Sequence, residues 1–387
     1  MQFTTPFAEQ QLIHLLSRLP KLVHLSLNLP MDLNTPVPIA LTHSFGNLRE
    51  LTFSGGTSMN VDALKFIVAN CPRLECLTLD GSNISMDGVT YLSLTALFSA
   101  IPMGVILPLR TLNLGGITID QPFEGLYPHL QSLTTVKIAP QFLDVPASFW
   151  HALTHSNVHL RHLTAHQADP PLLQYLHSYS GLVTLSLDLC GFRAGDRRDS
   201  DEMADIVYSS VIPLHAESLE NLQIKTAYEG HWTLGHQQLD LIMRCSKLSA
   251  LFVGVGLSDL EVHADRNVIT KLLDTLATLQ AVRLFVAYPT SARGLGDSVL
   301  LMHSPHGVRG NTLLTQLVRS YVCDAPSPAL LNLELSTGHI HQGHASLNTF
   351  KLVWGAQARK FHFARLRAMD GPKRPRDPVA IWQGWWI

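Results

Sequence analysis

The sequence predicts an α/β solenoid, a stack of short strand–helix units with a curved parallel sheet on its concave side and helices on its convex side. Three observations predict it. A six-residue pattern of apolar, two variable, apolar, one variable, apolar recurs, clearest in Leu22-Val23-His24-Leu25-Ser26-Leu27, Leu48-Arg49-Glu50-Leu51-Thr52-Phe53 and Leu74-Glu75-Cys76-Leu77-Thr78-Leu79, which start 26 residues apart. The last two apolar slots lie two apart, as in a strand that buries one face. Between the strands, apolar residues fall on one side of a helix, and a strand–helix unit repeated with a right-handed crossover stacks in this way. These are leucine-rich repeats.

Taken in order, later copies start at Leu109, Leu133, Leu160, Leu182, Leu219, Leu248, Leu279 and Leu330, with Ala165 in one third slot, so the chain holds about eleven units. Three residues before a start fall Leu19, Phe45, Cys71, Ile106, Leu130, Tyr179, Cys245 and Leu276, expected to plug the end of each helix, with Pro20 and Pro72 breaking it. Helices are expected around Leu12, Leu15, Leu16 and Leu19; Val61, Leu64, Val68 and Cys71; Met203, Ile206, Val207 and Val211; and Leu272, Leu273 and Leu276. The polar stretch Arg193 to Glu202 reads as a solvated loop leading into a helix. The interval of 51 between Leu279 and Leu330 requires an insertion or a degenerate unit. The repeats are expected to occupy residues 1–355, and a basic, Trp-rich tail residues 356–387.

Bulk composition narrows the function. Of 387 residues, 46% are hydrophobic and 15% charged, which leaves ample apolar surface to bury and no case for global disorder. A net charge of −2 supplies no field for nucleic acid or an anionic membrane. Five cysteines form no disulfide framework. Residues 1–20 lack the basic start and apolar core of a signal peptide, and no apolar run spans a bilayer. A cytoplasmic or nuclear protein with reduced thiols is expected.

Several stretches resemble the repeat portion of fungal F-box-like leucine-rich-repeat proteins, particularly those of mushroom-forming fungi. They are Asn70-Cys71-Pro72-Arg73-Leu74-Glu75-Cys76-Leu77-Thr78-Leu79, Tyr179-Ser180-Gly181-Leu182-Val183-Thr184-Leu185-Ser186-Leu187, Ile212-Pro213-Leu214-His215-Ala216-Glu217-Ser218-Leu219 and Tyr228-Glu229-Gly230-His231-Trp232. The likeness runs from about residue 40 to 340. It implies the substrate-binding half of a cullin-type ubiquitin-ligase receptor, in which an F-box docks the ligase adaptor. Residues 1–20 run straight into the first repeat and show no F-box helix pair. An adaptor is therefore a partner only if an F-box is missing from this chain.

Catalytic motifs are absent. There is no Gly-x-Ser-x-Gly elbow, and Gly55-Gly56 and Gly294-Leu295-Gly296 lack the pattern that cradles phosphate. Cys71 and Cys245 share one repeat slot, which points to packing rather than reactivity. His339 and His341, near His344, would share one strand face, as two zinc ligands can. No acidic or cysteine partner stands at metal-site spacing, so neither metal nor other cofactor is expected. A metal-dependent hydrolase using such clusters, or a repeat-only scaffold unconnected with ubiquitin, is the alternative to a substrate receptor. In the tail, Pro372-Lys373-Arg374-Pro375-Arg376 loosely resembles a nuclear import signal. Trp382, Trp385 and Trp386 are expected to cap the last repeat, with a partner anchor as the rival role.

The repeat register assigns a binding face. Side chains before, between and after the two strand core positions project from the concave side, among them His24, Glu50, Thr52, Asp80, Asn113, Lys137, His162, His166, Asp188, Gln223, Lys225, Phe252, Arg283 and Phe285. Acidic residues lie early and basic ones late, so a charge-graded face for a protein partner is expected, with no nucleic acid and no membrane. Phe252 and Phe285, at matching slots, are expected to be exposed anchors.

Overall fold

In the computed structural model, residues 19, 21–29, 45–55, 61–80, 93–115, 118–119, 125–139, 145–166, 168–190, 197–226, 228–262, 267–275, 279–287, 289, 305–323, 332–336, 347–355 and 360–365 are described. The chain forms two compact units, Met1–Leu182 and Val183–Ile387. Each is built of α/β leucine-rich repeats, the fold class expected from the sequence.

The first unit carries β1 (His24–Leu29), β2 (Glu50–Gly55), β3 (Cys76–Asp80), β4 (Thr111–Gly115), β5 (Thr135–Ile138) and β6 (His162–Ala165), each parallel to the next. Their register aligns His24, Glu50, Cys76, Thr111, Thr135 and His162, the residue two after each repeat start. Leu48, Leu74, Leu109, Leu133 and Leu160 at the starts are buried, as are Leu51, Leu77, Leu112, Val136 and Leu163 three residues on. Each such side chain contributes about 1.5–3 kcal/mol through burial.

One carbonyl per repeat locks the register. The Val23 carbonyl accepts from both the Arg49 and Glu50 N–H groups, the Arg49 carbonyl from Glu75 and Cys76, and the Glu75 carbonyl from Arg110 and Thr111. The Arg110 and Thr134 carbonyls do the same for the strands that follow them. Using both lone pairs satisfies two donors at the place where each strand begins.

Between these strands run α1 (Val61–Ala69), α2 (Leu94–Phe98), α3 (Tyr127–Leu130), α4 (Ala147–His155) and α5 (Pro170–His177). The starts of two are set by side-chain caps: Ser93 Oγ accepts from the Ala96 N–H at 3.0 Å, and Asp169 Oδ1 from the Leu172 N–H at 2.9 Å ahead of two prolines. The plugs Phe45, Cys71, Leu130 and Tyr179 are buried. Leu19 and Ile106 are not: Leu19 is 48% exposed, and Ile106 is 60% exposed with Leu107 filling the core in its place, its N–H donating to the buried His129 Nδ1 at 3.1 Å. Pro108, which has no N–H to offer, follows immediately and shifts the plug by one residue.

In the second unit, β7 (Thr184–Cys190), β8 (Asn221–Thr226), β9 (Ala250–Val255) and β10 (Ala281–Val286) are parallel neighbours. Next to β10 lies β12 (Asn332–Ser336), which pairs Asn332 with Ala281 and so confirms the repeat start at Leu330. The Val183, Glu220 and Ser249 carbonyls each accept from two N–H groups of the next strand start, as in the first unit. Helical segments are α6 (Arg197–Ile206), a π turn at Val207–Val211, α7 (Ile212–Leu214), α8 (His236–Ile242), α9 (Leu257–Leu260) and α10 (Val268–Thr275). The long interval before Leu330 is an insertion: α11 (Pro305–Ser320) and the short β11 (Val322–Cys323).

Beyond β12 the sheet turns antiparallel through β13 (Leu347–Gly355) and β14 (Lys360–Arg365), and β11 pairs with the far side of β14. Residues 360–365, assigned to the tail on sequence, are thus a strand of the sheet. Buried Phe350 and Phe363 explain why: the segment alternates apolar and polar as a strand does. The tryptophan-rich end, the import-like stretch and His339, His341 and His344 lie outside the described residues, as do the expected first helix up to Leu16 and the plug Leu276.

Candidate functional site

On the sheet face opposite the buried leucine rows, the first unit presents polar side chains in register. His24 Nδ1 meets Glu50 Oε2 at 2.7 Å, with both side chains more than half exposed. Thr52 is half-buried, and Asn113 Nδ2 donates to Thr78 Oγ1 at 2.8 Å. Asp80 lies so close over Gly115 that a Cβ there would come within 3.1 Å of its Oδ1. Lys137 is half-buried, and burial pushes its ammonium pKa down. Nearby, burial and then the Glu50 carboxylate push the Cys76 thiol up. His162 and His166 are half-buried on the last strand of the unit and just after it. His159, near them in sequence, is elsewhere engaged: its ring stacks on Tyr179 at 5.0 Å between centroids.

In the second unit the outward residues converge on one cluster. Asp188 Oδ1 accepts from Lys225 Nζ at 3.0 Å and from Gln223 Nε2 at 2.8 Å. Lys225 Nζ lies 5.8 Å from the centre of the Phe252 ring, and the Arg283 guanidinium 5.2 Å from the same ring. Phe252 and Phe285 meet edge to face, 5.3 Å apart at 75°.

One expectation is corrected here. Phe252 and Phe285 are each only 3% exposed and are not open anchors. The reason is local: Gly254 leaves room for the Phe285 ring to lie over the strand, and the two cations flank Phe252.

At the strand starts of β4, β5 and β6, Pro108, Arg110, Ser132, Thr134, Thr135, Arg161 and His162 line a cleft of about 450 Å³. The register-based face included His162 but missed Arg110 and Arg161, which stand one residue before the first outward strand position. Their signal in the sequence is the recurrence of arginine in that slot, at Arg49, Arg110 and Arg161.

These groups offer hydrogen bonds and charge. Among the described residues, no three His, Cys, Asp or Glu side chains are grouped to hold a metal. No helix of the described residues is long and apolar enough to cross a membrane.

Residues 3–101 match the family model for the leucine-rich repeats of FBD-associated F-box protein At5g56370. A search of curated proteins finds no match. The likeness covers β1 to β3 and supports an F-box-associated type of repeat and a protein-interaction role for it.

Proposed function

We propose that the chain is a protein-recognition module whose outward strand face selects a partner, in the manner of the substrate-binding half of an F-box ubiquitin-ligase receptor. The observation that carries this reading is the polar row His24, Glu50, Thr52, Thr78, Asn113, Lys137 and His162, held at register positions of six parallel strands. A rigid sheet presents such side chains at fixed strand spacings, which suits the reading of a second polypeptide. The match to F-box-associated repeats favours a ligase substrate as that polypeptide, in keeping with the resemblance to the fungal F-box-like group.

In the second unit the recognition role falls to Arg283 and the rim of the Asp188–Lys225 pair, with the buried Gln223, Phe252 and Phe285 as their support. The test is affinity capture with the intact chain, followed by Lys137→Glu and Asn113→Lys variants whose melting is unchanged. Each is expected to weaken the captured interaction about tenfold or more, the scale of a lost recognition contact. Changes at exposed helix positions such as His155 should leave it intact. Undiminished capture by both folded variants overturns the placement. Co-purification of a cullin-ligase adaptor with the partner-bound protein separates a ligase receptor from a scaffold.

A further inference from the structure

The cleft at the strand starts of the first unit differs from the rest of its row. Arg49, in the same repeat slot, is neutralised by Glu75 at 3.0 Å. Arg110 and Arg161 are exposed, and neither guanidinium has a hydrogen-bonded or ionic partner among the described residues. No carboxylate lines the cleft. Their backbones are fixed, since the Arg110 N–H donates to the Glu75 carbonyl at 2.8 Å and the Arg161 N–H to the Thr134 carbonyl at 2.8 Å. Two strand spacings separate them, roughly 10 Å at about 4.8 Å per strand, so two long side chains can close on one group between them.

Between the arginines stand hydroxyls. Thr134 Oγ1 donates to the Arg110 carbonyl at 3.2 Å and has no proton left for a ligand. Ser132 and Thr135 make no such bond among the described residues and can donate into the cleft, with the His162 ring on one wall. Two guanidiniums carry two positive charges, one more than a single carboxylate neutralises, and two hydroxyl donors stand beside them. They match a phosphate monoester, which carries close to two charges and three acceptor oxygens. A nucleic-acid backbone fits less well, because the row continues to acidic Glu75 on the β3 side and forms no basic stripe.

We infer that this cleft binds the phosphate of a phosphoserine or phosphothreonine side chain on a partner polypeptide, clamped by Arg110 and Arg161. The inference rests on the protein-recognition reading for the source of the phosphate, and the cleft itself is testable apart from it. The probe is N-acetyl-O-phosphothreonine N-methylamide, titrated into the intact chain and followed by NMR shifts of the Thr135 and His162 signals. Saturable binding is expected, absent for the unphosphorylated amide and weaker for inorganic phosphate. Arg110→Gln and Arg161→Gln should each weaken it at least fivefold, the double variant should abolish it, and melting should not change.

No saturable binding, full binding by the folded double variant, or equal binding of inorganic phosphate overturns the inference. Stronger competition by a single-stranded oligonucleotide than by the phosphothreonine amide also overturns it. If the amide binds while the strand-face variants leave partner capture untouched, the strand-face placement fails and the cleft stands. Capture that is lost in those variants but indifferent to both arginines and to phosphatase has the opposite meaning.

Discussion

The indole N–H of Trp232 donates to the Ser200 hydroxyl at 3.1 Å, joining the turn after β8 to α6. The same turn is held by the Tyr208 hydroxyl on the Trp232 carbonyl at 3.1 Å and by Asp205 Oδ1 on His231 Nδ1 at 2.9 Å. The segment Tyr228 to Trp232 is therefore a clamp on the helix, and Trp232 is 2% exposed. Trp232→Ala is expected to lower stability by about 3–5 kcal/mol, and Ser200→Ala by about 1–3 kcal/mol through the unpaired N–H. His231→Ala, on an exposed pair, should cost about 1 kcal/mol or less. Denaturant melts followed by tryptophan fluorescence and circular dichroism check the order.

A side chain at Gly254 would overlap its neighbours in the second unit. A Cβ there would sit 2.5 Å from Thr226 Cγ2 and 2.8 Å from two carbons of the Phe285 ring. Gly254→Ala should cost about 1–3 kcal/mol by overpacking, and Phe285→Ala in the same background should relieve part of that strain. Additive losses in the double variant would contradict the contact.

The Asp188–Lys225 pair is largely enclosed, its side chains 14% and 13% exposed. Removing one partner leaves a charge with little water, so Lys225→Met and Asp188→Asn should each cost about 3 kcal/mol or more, and the double variant less than their sum. A double-mutant cycle in urea measures the coupling.

Cysteine reactivity should divide sharply. Burial pushes the Cys71 thiol up to about 12 and Cys245 up to about 11, while Cys323 is only half-buried. At pH 8, alkylation of the native protein followed by peptide mass mapping should modify Cys323 within minutes and spare Cys71 and Cys245. Unfolding should expose all of them alike.

Acid should favour the turn around Asp259. Burial first, and then the Glu229 carboxylate, raise its pKa above 3.8, against smaller lowering effects of His236 and the Gly256 N–H. The folded state therefore holds this proton more tightly than the unfolded chain. Its stabilising contribution is complete below about 3.8 and is lost as pH rises through the raised value. Asp259→Asn keeps an acceptor for the Gly256 N–H, and its stability advantage over the parent should grow across that window and then level off. Urea melts between pH 3.5 and 7 report it. An advantage that shrinks with rising pH would refute the assignment.

The leucine spacing alone placed the parallel strands of each unit in register, including the one after Leu330. Burial of three apolar slots per repeat is strong enough to dominate local preference, so the pattern transmits directly to structure. Ile106 misled because a following proline moved the buried slot by one. Phe252 and Phe285 misled because strand alternation says which face a side chain takes but not what covers it there. Arg110 and Arg161 were missed because they precede the alternating segment, where the chain is already hydrogen-bonded but the pattern has not begun.

Because the starts of β2 to β6 and of β8 to β10 are each tied to the previous repeat by a single carbonyl with two donors, the order of side chains within each unit does not depend on what connects the strands. The pairing of β12 with β10 likewise keeps its register across the 16-residue helix Pro305–Ser320. Over evolutionary time, such a chain can gain or lose connecting sequence by unequal exchange while its face keeps the same neighbours. Lineages can thus diverge greatly in length and helix content and still inherit one outward face.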